Sequence, residues 1–347
     1  MAPTAQTKMK ALVVSRLLLG DINDWEAFRR EREVAGNIPN RRMARSVSAQ
    51  IGRTYSELTS TMQGFIRENF ARCDYVELEQ LCDAVIPGFG INLRLDEFEQ
   101  AFFPLADSVK IRVPFYAHVC ISTYGLQFDY PERHFIQDLK AGFSDLRETM
   151  SKIDELGVTD KNMKNKRDQI APLINREKFV SRSMVSSAFS LVESFTSGLL
   201  YTALNTRKLG RYDCRDDFLK YAETKEFKDA LKDRLARIVK FASEGAEDGS
   251  APPFSDFIRI GKYYRDSIHH TTPFGRKNLE IGERLEALYN IKCDVAIACS
   301  LLALNVILHL SLQLYGENDE RSITKDCKEL GEQCLAFSIE RGISRFT

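Results

Sequence analysis

The chain has 347 residues, 44% of them hydrophobic and 28% charged, with 49 basic side chains balanced by 49 acidic ones. This length allows one large domain or two ordinary ones with a sizeable core, and the composition is that of a globular protein, not a disordered or fibrous one. Zero formal net charge excludes a protein that coats nucleic acid by uniform positive charge, but it allows a local basic groove.

In chain order, Ala11–Val14 and Leu17–Leu19 are apolar runs compatible with strand or helix. Asp21–Arg32 and Met43–Asn69 read as helices, the second carrying Ile51, Tyr55, Leu58, Met62, Phe65 and Ile66 at helical spacing. Pro87–Gly90 is a turn, and Leu95–Phe103 a short helix stopped by Pro104. Val109–Val113 alternates, and Val119–Phe128 is rich in β-branched and aromatic residues. These predict two strands separated by Pro114. Residues 1–150 are therefore expected to form an N-terminal α+β region, whose role the residues do not reveal.

Phe143–Leu156 predicts a charged amphipathic helix stopped by Gly157. The basic run Lys161–Arg167 lacks interleaved aromatics and predicts a solvated connector over residues 151–178, not a phosphate-contacting strip. From Val180 the stripe Val180, Met184, Ala188, Leu191, Val192, Phe195, Leu199 and Ala203 marks a helix. The serines Ser183, Ser187, Ser190, Ser194 and Ser197 between those positions leave a smooth face for a close neighbour. Asp229–Phe241 is a further helix, and Ser243–Pro253 the clearest loop. Ser255 is placed to cap the next helix, which carries Phe257, Ile260, Tyr264 and Ile268 and is stopped by Pro273. A long helix is predicted over Leu279–Tyr315 and a last one over Ile323–Ser338. The expected fold is mainly α, with residues 179–347 forming a bundle of four main helices plus a tail helix.

Val295–Leu312 is nearly long enough for a membrane span, which needs about 20 apolar residues. Lys292 and Asp294 flank it, and Asn305 and His309 lie one helical turn apart within it, so a buried central helix is the expectation and no membrane partner is implied. The eight cysteines form no C-x-x-C pair, so zinc-finger spacing is absent and no metal site is expected. No apolar secretory core follows the start. Scattered cysteines fit a reducing compartment, which makes cytoplasmic localisation the expectation.

Chemistry concentrates in Tyr264-Arg265-Asp266-Ser267-Ile268-His269-His270, which holds two of the five histidines. Arg265 and His269 are four residues apart and share a helix face, as do Asp266 and His270. The C-terminal end of a helix tolerates this cationic cluster, because the macrodipole is negative there. A second Arg-to-His spacing, Arg112 to His118, lies in strand-like sequence and is set aside.

Arg265-Asp266-x-x-x-His270 resembles the motif of HEPN nucleases, in which an arginine, a polar residue and a histidine close the third helix of a four-helix bundle. The resemblance spans residues 179–315, about 40% of the chain, and includes Leu191-Val192-Glu193-Ser194-Phe195, which is similar to the opening helix of several HEPN proteins. It implies a HEPN-like bundle with metal-independent endoribonuclease activity, no cofactor, and RNA as partner. It implies a homodimer whose two motifs build a composite cleft, and a toxin or antiphage-defence role. Arg265 would clamp the phosphate, and His270 would be the acid or base, with His269 as substitute imidazole and Asp266 orienting His270. Arg276 and Lys277 would grip flanking phosphates, or be solvated turn residues. Glu193 would hold Arg265, or be an exposed helix residue. The N-terminal half would bind a regulatory protein or sense a trigger. The alternative is a non-catalytic HEPN-type module for dimerisation or RNA binding, in which the Arg–Asp–His cluster only caps a helix and makes ion pairs.

Overall fold

The computed structural model describes residues 92–96, 107–122, 125–157, 162–225, 230–247, 249–250, 252–269 and 285–343. The helices expected at Asp21–Arg32 and Met43–Asn69, and most of that at Leu95–Phe103, lie outside these residues. The chain divides into two compact units, Met1–Tyr130 and Pro131–Thr347.

Among its described residues the first unit has a three-stranded antiparallel sheet in the order β1 (Asn92–Arg94), β2 (His118–Ser122), β3 (Gly125–Asp129), and a short helix, α1 (Asp107–Arg112). Strand and helix both occur among these described residues, but two details differ from the expectation. Val109–Val113 is not a strand: Asp107–Arg112 is helical, with Lys110 and Arg112 in the last turn, where the dipole favours them. Val119–Phe128 is not one strand but a hairpin, in which Ser122 pairs with Gly125 and Val119 with Phe128. Val119 and Phe128 are both buried, so this pair anchors the sheet.

Among its described residues the second unit is helical, with turns between the helices and one small hairpin. Helix α2 (Pro131–Glu155) begins with proline at its first position and Glu132 in its first turn, both favourable at a helix start. Its stripe Ile136, Leu139, Phe143 and Leu146 is buried. The chain leaves α2 through Gly157 at φ +52°, the expected stop. The boundary drawn near residue 150 falls instead at Tyr130/Pro131, because α2 packs along helix α3 (Met163–Thr206) and shares its core. Nor is 151–178 a connector: α2 runs to Glu155 and α3 starts at Met163, so the basic run opens a 44-residue helix with Pro172 inside it. Arg176 on α3 pairs with Asp145 on α2 at 2.7 Å, fixing the two helices where the sequence looked like linker.

Helix α3 ends at Arg207, which takes the left-handed conformation (φ 56°) and donates its N–H to the Ala203 carbonyl. A two-residue-strand hairpin follows, β4 (Lys208–Leu209) and β5 (Tyr212–Asp213), then α4 (Asp216–Lys225) and α5 (Leu231–Ala242). Helix α6 covers 254–269 in three contiguous pieces: Phe254–Asp256, a π-helical turn Phe257–Gly261, and Lys262–His269. Ser255 does not cap it, since the helix begins one residue earlier with Pro253 at the N-cap. The predicted helix Leu279–Tyr315 is broken. Residues 285–290 are helical, the chain is extended at Lys292 (φ −127°, ψ −173°), and α7 runs Cys293–Tyr315. The break is held from outside, because Glu177 of α3 accepts the Cys293 N–H at 3.1 Å, satisfying a free donor at the new helix start. Helix α8 (Ser322–Glu340) closes the unit.

Helix α7 is long and apolar enough to cross a membrane, but most of it is core: Ala296, Ile297, Ala303, Leu304, Val306, Ile307 and Leu310 are buried against α3, α5 and α8. Phe143 of α2 meets Phe337 of α8 edge to face at 5.7 Å. Cys214, Cys293, Cys299, Cys327 and Cys334 are free and buried. Burial pushes the thiols of Cys293, Cys299 and Cys334 up to about 12, so they act as apolar packing groups.

Two loops at the C-terminal end of α7 carry testable consequences. In the β4–β5 turn, Gly210 (φ +62°) presses on the last turn of α7 so closely that a Cβ would lie 2.1 Å from the Leu314 carbonyl oxygen, and the next residue, Arg211, donates its N–H to that oxygen at 2.9 Å. Gly210→Ala therefore meets both strain and a backbone clash, whereas Gly157→Ala meets strain alone, with nothing within 4 Å. Denaturant melts should show about 1 kcal/mol lost for Gly157→Ala and clearly more for Gly210→Ala; equal losses would contradict this packing. Between α7 and α8, Asp319 is nearly buried and accepts from the Arg321 guanidinium at 2.7 Å and from Thr324 Oγ1 at 2.7 Å, with Arg321 stacked on Tyr315 at 3.4 Å. Burial alone would raise the Asp319 carboxyl pKa, but the hydrogen bond and charge of Arg321 outweigh it and the net direction is down. A carboxyl depressed in the folded state stabilises above its unfolded value and loses that contribution as pH falls through the folded value. The stability of the wild type should thus drop below pH ~4 more steeply than that of Asp319→Asn, as read by denaturant midpoints at successive pH values.

Candidate functional site

The site is built on two antiparallel stretches, Ser186–Glu193 of α3 and Phe257–His269 of α6. Phe257 is fully buried and stacks on Phe189 of α3 (ring centroids 5.5 Å, 24° between planes). Eight residues later the Arg265 guanidinium carbon lies 4.3 Å from the centre of the same Phe189 ring. At 100° per residue an α-helix would leave these positions about 80° apart. The π turn Phe257–Gly261 takes one residue more per turn and so brings Arg265 back toward the azimuth of Phe257. Both then reach Phe189. The ring face is electron-rich and favours the cation above it.

Arg265 is anchored by charge as well. Its Nη2 donates to Glu193 Oε1 at 3.1 Å and its Nη1 to Asp266 Oδ1 at 2.9 Å. The Arg265 side chain keeps 24% of its surface exposed, so it is held in place without being sealed off. Glu193, left open between holding Arg265 and facing solvent, takes the first position. Asp266, expected to orient His270, bonds Arg265. His269 is exposed, with its Nε2 3.4 Å from Ser186 Oγ. His270, Arg276 and Lys277 lie outside the described residues. Tyr264 turns away from the cluster into a satellite core with Ile260, Val185, Val295 and Cys299, and burial raises its phenol pKa.

One contributor went unread in the sequence. Arg234 of α5 is buried and donates through Nη1 to the Glu193 carbonyl at 3.1 Å and to Ser197 Oγ at 2.5 Å. That carbonyl also accepts from Ser197 Oγ at 2.7 Å and Thr196 Oγ1 at 3.1 Å. The signal was present: Arg234 falls on the apolar stripe Leu231, Leu235, Ile238, Val239 of its helix, where a cation needs a partner. The serine face of α3, read as room for a close neighbour, meets that neighbour at Ser197. Outside the site, His309 is half-buried, as a hydrogen-bonded histidine beside Gln313 (3.1 Å) and Phe254. Arg112 ends α1, so the set-aside match to His118 joins a helix end to a strand.

Among the described residues no group of three or more His, Cys, Asp or Glu side chains is placed to hold a metal ion. No family model, curated protein or solved structure matches the chain.

The two arginines should behave differently. Arg234→Ala leaves buried acceptors without their charged donor and should cost about 2–3 kcal/mol in a denaturant melt. Glu193→Gln loosens a pair exposed to solvent and should cost less than ~1 kcal/mol. A neutral Arg234→Ala would mean that the Glu193 carbonyl is satisfied without it.

Proposed function

We infer that the chain is an endoribonuclease of the HEPN type, cutting RNA by attack of a 2′-hydroxyl on the adjacent phosphodiester. The single observation that supports this is Arg265. It stands at the end of a helix, pinned by Glu193, Asp266 and Phe189, with guanidinium surface left open and an exposed imidazole one turn further on. A guanidinium so held has lost its rotational freedom before substrate arrives, and its remaining N–H groups are a fork for phosphate oxygens.

The chemistry needs one base and one acid. The base takes the 2′-hydroxyl proton as that oxygen bonds to phosphorus. The P–O5′ bond breaks, and the acid gives a proton to the departing 5′-oxygen. The products are a 2′,3′-cyclic phosphate and a 5′-hydroxyl. An imidazole with a pKa near 6.5 performs either transfer close to neutral pH. His270 is assigned this role from the motif, with His269 as substitute, and Arg265 stabilises charge on the non-bridging oxygens. One chain supplies one motif, so the composite cleft requires a second copy. The toxin or defence role follows from the resemblance alone and is an analogy.

A second reading has an observation in its favour. Arg265, Glu193 and Asp266 sum to a formal charge of −1 (one positive, two negative), which does not attract phosphate until an imidazole is protonated or another cation joins. An ion pair of this kind also suits a non-catalytic module in which Arg265 only joins α6 to α3.

The test is cleavage of a labelled single-stranded RNA in EDTA by wild type, Arg265→Ala, His270→Ala and His269→Ala, with folding checked by thermal melts. The nuclease reading expects cutting by wild type and losses of 100-fold or more, of the order of 10²–10⁴ for general acid–base groups, in Arg265→Ala and in one of the two histidine variants. Absent cutting, or cutting indifferent to all three substitutions, would favour the module.

A further inference from the structure

The face of α3 that serves Arg265 continues past the end of α6. Phe179, Arg182, Ser186, Phe189 and Glu193 follow one another by three, four, three and four residues, so they share one side of the helix. Arg265 meets the last two and His269 stands beside Ser186, which leaves Arg182 and Phe179 further along the same line. Along the axis Arg182 is about 6 Å and Phe179 about 10 Å from Ser186, at 1.5 Å per residue. Lys178, four residues before Arg182, joins this face. The neighbouring charges are engaged elsewhere: Arg176 pairs with Asp145 of α2, and Glu177 accepts from the Cys293 N–H. Lys178 and Arg182 are half-buried and make no hydrogen bond or ion pair among the described residues, while Phe179 is 66% exposed.

We propose that Phe179, Arg182 and Lys178 form a platform for single-stranded RNA, which seats the nucleotides beside the scissile bond. The proposal rests on the nuclease reading for where the cut falls, while binding stands on the platform's own chemistry. An aromatic face stacks an unpaired base of any sequence, and cations beside it take the backbone phosphates. The basic run Lys161–Arg167 lacks an interleaved aromatic; Lys178–Arg182 has one. The charges agree. Arg265, Glu193 and Asp266 sum to −1, and adding Lys178 and Arg182 brings the formal sum to +1, so the platform supplies the attraction for phosphate that the anchored arginine lacks. Met163–Arg182 holds six basic and two acidic side chains, a net +4 in a chain whose total is zero, so positive charge is concentrated on this part of α3. The bases of a duplex are already stacked on one another, so the platform selects unpaired strands.

Binding is measured by fluorescence anisotropy with a labelled 2′-O-methyl oligouridylate, which cannot undergo 2′-hydroxyl attack, and with the same strand paired to its complement. The full-length wild type is compared with Phe179→Ala, Phe179→Trp, Arg182→Gln and, as a control exposed on α4, Lys220→Gln; thermal melts confirm that each variant folds. The expected result is that Phe179→Ala weakens single-strand binding by about 5- to 100-fold, that Phe179→Trp keeps it, and that duplex binding changes less. Arg182→Gln should lower the slope of log affinity against log salt by about 0.7, and Lys220→Gln should do neither. A single strand that does not bind the wild type overturns the proposal, as does one that binds Phe179→Ala and Arg182→Gln as tightly as it binds Lys220→Gln. So does a Phe179→Ala that loses binding to phosphatidylserine vesicles with oligonucleotide binding unmoved, which would assign this face to a membrane surface. Cutting of the unmodified strand by the same variants separates the two readings. Binding through Phe179 and Arg182 without any cutting leaves the platform standing and removes the nuclease, whereas cutting by both variants at the wild-type KM does the reverse.

Discussion

Three helices meet at residue 193. The Glu193 carboxylate of α3 holds Arg265 of α6, and its backbone carbonyl accepts from Arg234 of α5. Both arginines are drawn out of bulk water, and each needs acceptors in place to offset that desolvation. The partly open pair at Arg265 keeps some solvent, while the buried Arg234 relies on oxygens of one helical turn, Glu193 to Ser197. A change that shifts this turn of α3 therefore moves the anchors of two other helices.

The length of α3 makes such a node possible. Forty-four residues in one helix carry the α2 contact at Arg176, the cap of α7 at Glu177, the serine beside His269 and the anchors of Arg265. The spacing of these groups is set by a single rigid element, which is how a site assembled from residues 186–193 and 257–269 keeps its geometry. The π turn in α6 completes it, since regular α-helix would carry Arg265 away from the azimuth that Phe257 fixes on Phe189.

Much of this was legible in the sequence where periodicity was long. The mainly α character, the stripe of α3, the stop at Gly157 and the burial of the apolar helix α7 all follow from spacing over many turns. The pairing of Glu193 with Arg265 was one of two readings, decided only by which face of α3 meets α6. Short segments misled for a physical reason: over the five residues Val109–Val113, alternation fits a strand, while Val109–Arg112 in fact close a helix. Residues 151–178 read as connector because their polarity hid the fact that Arg176 and Glu177 have tertiary partners. The break at Lys292 depends on a cap from a residue 116 positions earlier, which no local pattern shows. Arg234 stood in plain view on an apolar stripe, but its acceptors belong to another helix, and the π turn leaves no mark in residue type.

The central claim is that a fixed guanidinium and a nearby imidazole act on the 2′-hydroxyl chemistry of RNA. It is tested most directly by mapping the cut in an RNA and then replacing the single ribose 5′ to it with 2′-deoxyribose. The account predicts that this strand resists cutting at that position, and that the unmodified strand yields a 2′,3′-cyclic phosphate and a 5′-hydroxyl. Cutting at the deoxy position, or ends bearing 5′-phosphate and 3′-hydroxyl, would contradict it.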